Sequence, residues 1–327
     1  MKAMVVQAEK EDRPLVWTEV ETPACGPDEV LVDVYATALN RADLMQRAGK
    51  YPPPPGESEI IGLEMAGTIA ALGEKVTGWQ VGDRVCALLP GGGYAEQAKV
   101  ASAMLMPIPA AWSFEQAAAV PEVFFTAFVN LFMEAALQPG ETVLIHGGAS
   151  GVGTAGIQLA HQAGCRVFVT AGAAEKTARC QSLGAELAIN YNTEDFAERI
   201  MVYTGGDGVD VIMDMVGASY FERNVDLLKV KGRLVFISTL SGMRAELDLR
   251  KLMGKRLRLI GSVLRARPLA EKIEIKERFM AQFWPALLDG SIQPIIDRVY
   301  PIQEVNQAHQ TMTKNENIGK LVLQVRA

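Results

Sequence analysis

Thr142-Val-Leu-Ile-His146, followed by Gly147-Gly-Ala-Ser-Gly-Val-Gly-Thr-Ala-Gly156, is the stretch whose reading decides the fold. The first five residues read as a short apolar strand, a glycine-rich turn follows, and the chain continues to 164 as an amphipathic helix. Within the turn, Gly151-Val-Gly153-Thr-Ala-Gly156 has the G-x-G-x-x-G spacing. Two of those glycines let the backbone turn tightly and approach a pyrophosphate, and the third lets the helix pack closely on the strand. Phosphates then sit at the helix N-terminus, where free N–H groups and the helix dipole favour negative charge. The spacing alone is a weak signal. Between a strand and a helix it marks a dinucleotide site.

Downstream the alternation continues. Strands are expected at 166–170, 187–190, 209–213 and 233–238, with helices at 175–183, 195–203 and 220–228 between them, and one more strand at 256–263. That order predicts an α/β domain with a doubly wound parallel sheet covered by helices on both faces, a Rossmann arrangement. Upstream, residues 1–100 are β-rich, with short runs at 3–8, 30–38, 67–72 and 84–88 set off by Gly, Pro and Asp. Residues 40–47 have helical spacing, and Gly49-Lys-Tyr51-Pro-Pro-Pro-Pro-Gly56 reads as a stiff extended loop. Buried helices around Pro121 are expected over 113–137. After a helix at 270–288, Val299 and 318–325 return to strand, so the C-terminal piece resembles the start of the chain more than its middle. The domain boundaries that follow are 1–122 and 269–327 for one β-rich catalytic domain in two parts, and 123–268 for the nucleotide domain inserted between them.

Composition narrows the function. The 327 residues are 49% hydrophobic and 21% charged, an ordinary globular balance. A net charge of −6 argues against a general binder of nucleic acid, which needs a basic patch. Cys25, Cys86, Cys165 and Cys180 show no C-x-x-C spacing, and free thiols in a reducing compartment are expected, which points to the cytoplasm. No run of about 18 uninterrupted apolar residues suggests a membrane span.

The cofactor and the chemistry follow from residues present and missing. In the NAD form of this fold an acid about twenty positions past the glycine loop accepts bonds from the ribose 2′-OH. Here the second strand ends Val169-Thr170-Ala171-Gly172 with no acid at its tip, leaving room for a 2′-phosphate. Lys176 lies one turn into the next helix and Tyr191 follows the next strand, so NADP is favoured over NAD. Lys176 reads equally as a solvated helix lysine. His146 reads as a hydrogen-bonded core residue, and His161 and His309 fall in expected helices. No Cys/His cluster has zinc spacing, and no G-x-S-x-G elbow offers a nucleophile. Hydride transfer, where the cofactor carries the chemistry and the protein orients it, is what remains.

Longer stretches carry a resemblance that covers essentially the whole chain: Ala38-Leu-Asn-Arg-Ala-Asp-Leu-Met-Gln-Arg47, Leu88-Leu-Pro-Gly-Gly-Gly93, Leu144-Ile-His-Gly147 with Ser150-Gly-Val-Gly-Thr-Ala155, and Asn317-Ile-Gly-Lys320. The chain resembles the medium-chain dehydrogenase/reductase superfamily, within it the zinc-free quinone oxidoreductases, and among those the p53-inducible branch. The resemblance implies a GroES-like catalytic domain around a Rossmann domain, NADPH as cofactor, a quinone bound in the cleft between domains, and homodimers. Zinc-dependent relatives carry Cys where this chain has Asn40 and Gly-His-Glu where it has Gly62-Leu63-Glu64. They also carry a cysteine loop near position 90, so no metal is expected.

Carried over by position, Ser150, Gly151, Val152 and Gly153 hold the pyrophosphate, and Gly172, Lys176 and Tyr191 face the 2′-phosphate. Asn40 and Thr126 lie near the nicotinamide ribose. Thr239, Leu240, Leu264 and Arg265 run along the nicotinamide half, and Asn317 is a C-terminal cofactor contact. Departures are Gly156, where relatives have Ala, and Met215, where a relative has Cys. Tyr51 is the candidate donor to a carbonyl oxygen as negative charge develops there, with Asn40 orienting the acceptor; the other reading of Tyr51 is a brace for its loop. Besides quinone reduction, reduction of an enone or alkenal double bond shares the same geometry, and an NADPH-binding protein with little turnover is a third reading.

Overall fold

In the first part of the chain, short strands alternate side chains between core and surface. Lys2–Val6 (β1) and Leu15–Glu19 (β2) pair antiparallel as a separate ribbon. In Glu29–Ala38 (β3), Val30, Val32, Val34 and Ala36 are buried and the residues between them half-buried, the period of two of a strand with one face on a core. Arg41–Arg47 (α1) follows, then Glu64–Leu72 (β4), Arg84–Leu88 (β5), Gln97–Ala101 (β6), Met106–Pro107 (β7) and the short Phe114–Ala118 (α2).

The computed structural model describes residues 1–326 and divides them into two units, the first holding Met1–Val123, Arg265–Met280 and the chain from Pro294 on, the second Phe124–Leu264 and Ala281–Gln293. The second unit is the strand–helix alternation. Pro121–Phe128 (α3) leads into a π-helical turn, Val129–Glu134, where the Asn130 carboxamide donates to the Thr126 carbonyl at 2.7 Å. Then come Thr142–His146 (β8), Gly151–Gln162 (α4), Arg166–Ala171 (β9), Ala174–Ser182 (α5), Leu187–Asn190 (β10), Phe196–Tyr203 (α6), Val209–Asp214 (β11), Phe221–Leu227 (α7), Leu228–Phe236 (β12), Leu249–Lys255 (α8) and Arg258–Gly261 (β13). All six strands are parallel, in the order β10-β9-β8-β11-β12-β13. The order reverses between β8 and β11, and in such sheets ligands bind outside the carboxyl ends of the strands at that point.

Leu269–Leu288 (α9) divides between the units, and the chain ends with Ile296–Pro301 (β14), Val305–Thr313 (α10) and Lys320–Gln324 (β15). β14 and β15 extend the first sheet, whose order is β14-β15-β3-β4-β5-β7, with β6 paired to β3. Tyr300, Ile302, Val305, Leu321 and Leu323 enter the same core as Met4, Leu15, Leu39 and Tyr94, so the last segment completes the first unit.

Two expectations change. The whole of 269–327 was assigned to the first domain, yet 281–293 belongs to the second: Phe283 packs on Phe128 and Phe132, and the Gln158 side chain bonds Gln293 N–H and C=O, each at 2.9 Å. The strand expected at 256–263 shortens because Arg256 is the left-handed cap (φ 52°) of α8, a helix that the sequence reading lacked. Helical residues Phe114–Glu134 are long and apolar enough to cross a membrane by composition, but that window is 72% buried inside the protein, as a core helix is.

Gly153 and Gly156 fix how close α4 comes to its surroundings. A Cβ on Gly153 would lie 2.3 Å from Gly147 O, which is rigid backbone, whereas one on Gly156 would lie 3.1 Å from the tip of Ile145. Gly153→Ala is therefore expected to destabilise by at least about 2 kcal/mol. Gly156→Ala should stay within about 1 kcal/mol of the parent, the helix-propensity gain offsetting mild crowding. Chemical unfolding of the two variants beside the parent measures both.

Candidate active site

In the second unit, β8 hands over to α4 through Gly147 (φ 68°) and Gly148. A side chain at Gly148 would meet Val169 Cβ at 2.7 Å, so the turn lies directly on β9. Ser150 is the N-cap: its Oγ accepts from Gly153 N–H at 3.0 Å, and its carbonyl from Thr154 N–H at 2.8 Å. The N–H groups of Gly151 and Val152 meet no acceptor among the described residues, leaving two donors at the positive end of a twelve-residue helix.

β9 ends at Ala171, and the chain that follows carries no carboxylate before Glu175, which is exposed. Gly172 lies against Tyr191, where a Cβ would meet the phenolic oxygen at 2.5 Å, and Asn192 Nδ2 donates to the Gly172 carbonyl at 2.7 Å. Asn192 was not singled out in the sequence; only its place beside Tyr191 hinted at it. Lys176 is half-buried in the first turn of α5. Thr239 and Leu240 stand on the loop after β12, which folds onto the loop after β11 through Leu240 N–H to Met215 O at 3.3 Å. Thr126 sits half-buried in α3, and Leu264 is buried at the end of this unit.

His146 is a core histidine. Its Nδ1 faces Thr170 Oγ1 at 3.0 Å and its Nε2 faces Asn224 Oδ1 at 2.8 Å, while Asn224 Nδ2 donates to Asp214 at 3.1 Å. Burial lowers its pKa to about 4, so the ring is neutral, with the proton on Nε2 to serve the Asn224 acceptor. His161 is exposed over Gly184.

The first unit holds a polar cluster around one lysine. Lys320, at the start of β15, donates to Leu39 O at 2.7 Å, Asn40 Oδ1 at 2.8 Å and Glu64 Oε1 at 2.7 Å. The pair is buried, with side chains 2% and 0% exposed. Asn40 Nδ2 donates to the same Glu64 oxygen at 2.8 Å and approaches Ala38 O at 3.4 Å. Both ends of the Asn40 carboxamide are thus engaged within the protein, which narrows its expected part in orienting an acceptor. The role of Lys320 was missed, although its motif was quoted; nothing local says that a lysine at the start of the last strand meets the N-cap of α1.

Glu64 Oε2 accepts from Glu122 N–H at 2.9 Å, at the first turn of α3. Glu122 Oε2 is buried with no hydrogen-bond partner, and burial, reinforced by the nearby Glu64 charge, pushes its carboxyl up to about 8. Asp43 accepts from Asn40 N–H at 2.7 Å and Tyr94 OH at 3.0 Å, and Tyr94 OH lies 3.3 Å from His309 Nε2. Burial pushes Asp43 up to about 6 and His309 down to about 3.

Tyr51 is half-buried after the left-handed Gly49, with the Arg265 guanidinium 5.4 Å from its ring centroid. Its hydroxyl meets no partner among the described residues, and burial raises its pKa, which keeps it protonated and able to donate. Both sequence readings of Tyr51 thus have a physical basis, a braced ring and an open hydroxyl. Asn317 donates from Nδ2 to Gly319 O at 2.7 Å, within its own turn. The four cysteines are free, and Cys86, Cys165 and Cys180 are buried. Among the described residues, no group of three or more His, Cys, Asp or Glu is placed to hold a metal ion.

Comparison with known proteins defines first a class. Residues 26–110 match the alcohol dehydrogenase GroES-like domain, and residues 151–281 match the domain described as zinc-binding dehydrogenase. The quinone oxidoreductase of Rattus norvegicus is 31% identical over 94% of this chain and 92% of its own length. The human synaptic vesicle membrane protein VAT-1 homolog is 33% identical over 92% of this chain and 80% of its own. Among solved structures, the quinone oxidoreductase of Escherichia coli complexed with NADPH superposes with a TM-score of 0.87 at 28% identity, covering 99% of this chain and 98% of that one. CurK enoyl reductase gives 0.86 at 30% identity, with the same coverage. The chain belongs to the quinone oxidoreductase-like group of the medium-chain dehydrogenase/reductase superfamily.

Two variants test the buried cluster. Lys320→Met leaves the Glu64 carboxylate without its counterion and should cost about 3–5 kcal/mol, while Lys320→Met with Glu64→Gln should cost clearly less than the two single changes together. Unfolding of the three variants in denaturant gives the coupling. Glu122 contributes stability that is full below about 4.5 and is lost as pH rises through about 8, because its folded pKa lies above its ordinary value. The slope in that window is up to roughly 1.4 kcal/mol per pH unit. Glu122→Gln should flatten it, gaining on the parent toward alkaline pH and matching it in acid, as melting temperatures across that range will register.

Proposed function

We propose that the protein is an NADPH-dependent, metal-independent quinone oxidoreductase of the p53-inducible branch. The observation that carries the reading is the open, protonated hydroxyl of Tyr51 on a braced ring. The residues suit NADPH. Gly151 and Val152 offer unpartnered N–H groups to a pyrophosphate capped by Ser150 and Gly153, and the acid-free end of β9 sets Gly172, Tyr191 and Lys176 toward a 2′-phosphate. Thr126, Thr239, Leu240, Leu264, Arg265, Asn40 and Asn317 line the remainder of the cofactor site in this reading. Bound NADPH supplies the hydride.

The protein's own part is positioning and charge. Tyr51 donates a hydrogen bond to the acceptor oxygen as negative charge grows there. Asn40, held by Lys320 and Glu64, keeps the start of α1 in place rather than moving a proton. Metal independence is supported by the side chains at the positions where zinc-dependent relatives carry ligands: Asn40, the apolar Leu63, and Glu64, already paired with an ammonium. Unpaired buried thiols fit the cytoplasm, and the family resemblance extends the reading to a homodimer.

The likeness to an enoyl reductase favours a second reading, in which hydride goes to the β-carbon of an enone and a proton follows. A panel of ortho- and para-quinones with an enone, followed by loss of nicotinamide absorbance, separates the two. Quinone turnover is expected, with Tyr51→Phe lowering kcat/KM roughly tenfold to a hundredfold, and Lys176→Ala weakening NADPH far more than NADH. Preference for the enone would install the second reading. Tight NADPH binding with no turnover of any acceptor would make the protein a cofactor-binding protein instead.

A further inference from the structure

A buried cationic side chain in the first unit lacks a counterion. Arg265 is 4% exposed, donates from Nε to Pro90 O at 2.7 Å, and reaches Tyr51 O from Nη1 only at 3.5 Å. Its Nη2 is buried and meets no acceptor, and no carboxylate lies within ion-pairing distance of it. A guanidinium keeps its charge in proteins and carries five donors in a rigid fork, so an idle buried N–H on it is an unmet demand for an acceptor. Asp43, Glu122 and Glu57 act on it only through longer-range attraction.

The surroundings leave room for that acceptor. Arg265 lines a cavity of about 540 Å³ with Ser58, Gly91, Gly92 and Lys272, all within the first unit. The wall beside the guanidinium is bare backbone: a Cβ on Gly91 would come within 2.6 Å of Ser58 O, so the position requires glycine. Lys272 has no ion-pair or side-chain hydrogen-bond partner among the described residues. Its pKa is lowered by burial first and by Arg265 as well, and is raised by Glu57 and Glu122. The acids on the cavity are Glu57, Glu21 and Glu29; Glu29 pairs with Lys99 at 3.2 Å, while Glu57 and Glu21 are exposed. Two unpaired cations facing one cavity suit a single negative charge. A planar carboxylate matches the guanidinium fork, whereas a phosphate dianion would need more donors and would meet the exposed glutamates.

We propose that this cavity binds the carboxylate of the acceptor, gripped by the Arg265 guanidinium and Lys272 Nζ, so that the natural acceptor is an acidic one. This rests on the oxidoreductase reading above for the word acceptor, and on the cavity alone for the carboxylate. Arg265 then serves the small ligand rather than the nicotinamide loop to which the family resemblance assigned it.

Calorimetry on the full chain with 2-naphthoate and its neutral counterpart 2-naphthamide tests the site without turnover. Naphthoate should bind at least tenfold tighter than the amide. Arg265→Gln should abolish that preference, Arg265→Lys should retain part of it, and Lys272→Met should reduce it several-fold. Melting temperature and NADPH affinity, measured on each variant, separate loss of the site from loss of the fold. Equal binding of the two probes overturns the proposal. So does an Arg265→Gln variant that keeps the naphthoate preference and loses NADPH affinity, which would return Arg265 to the cofactor. In steady-state kinetics naphthoate should compete with a neutral quinone; inhibition of any other pattern would mark a separate effector site and overturn the assignment to the acceptor. If no quinone is turned over while naphthoate still binds through Arg265, the oxidoreductase reading falls and the carboxylate site stands.

Discussion

The first unit depends on one buried ion pair. Lys320 and Glu64 meet at 2.7 Å almost wholly out of water, where desolvation of each ion costs several kcal/mol. The pair holds because its remaining valences are filled. Three acceptors surround the ammonium, and the carboxylate also receives Asn40 Nδ2 and Glu122 N–H. Those partners come from the end of β3, the start of α1, β4, the first turn of α3 and β15, so one cluster ties together pieces of chain more than 250 positions apart.

The neighbouring charges follow from that commitment. Glu122 and Asp43 have no ion-pair partner of their own, and although Lys320 attracts both from a distance, burial prevails and lifts both carboxyls. Tyr94 is driven well above its ordinary value by burial and by Asp43, and His309 is driven down by burial and by Arg47. At neutral pH the cluster therefore carries one positive and one negative charge from the pair, a largely ionised Asp43, a protonated Glu122 and a neutral histidine. Buried polar groups in such a network need every partner, and three of its atoms lack one: Glu122 Oε2, Asp43 Oδ1 and His309 Nδ1.

Sequence legibility followed the range of the interactions. The β8–α4 turn was readable because a strand, a glycine run and a helix are all local, and because Gly153 faces the backbone of Gly147 and Gly148 a few positions back in the same segment. The parallel sheet was readable from alternation, and the missing acid after β9 from one position. The Lys320 cluster was not, since its members are each unremarkable alone and only the antiparallel pairing of β15 with β3, Val322 opposite Ala38, brings them together. β2 and β6 escaped because short strands of mixed polarity owe their pairing to partners far away, Lys2 opposite Glu19 and Glu29 opposite Ala101. The division of α9 was invisible for the same reason: a continuous helical pattern says nothing about which core each turn joins.

The ammonium also bears on how this chain handles a growing negative charge. Where zinc-dependent relatives carry ligands, Asn40 Oδ1 and Glu64 Oε1 both face Lys320 Nζ, and Leu63 offers no donor atom. A divalent cation about 4 Å from that ammonium would be repelled by roughly 8 kcal/mol at an effective dielectric of about 20, before any ligand was displaced. Glu64 cannot serve both, since its Oε1 already accepts from two donors and its Oε2 from the backbone of α3. The cation in this cluster is fully buried, so in the proposed reading charge developing on an acceptor would be met by a hydrogen-bond donor that is open to it. Tyr51 has that donor, raised in pKa by burial so that the proton stays on the oxygen. In the proposed reading, polarisation of the acceptor would fall to a hydrogen-bond donor rather than to a Lewis acid, which suits acceptors that are already electron-poor.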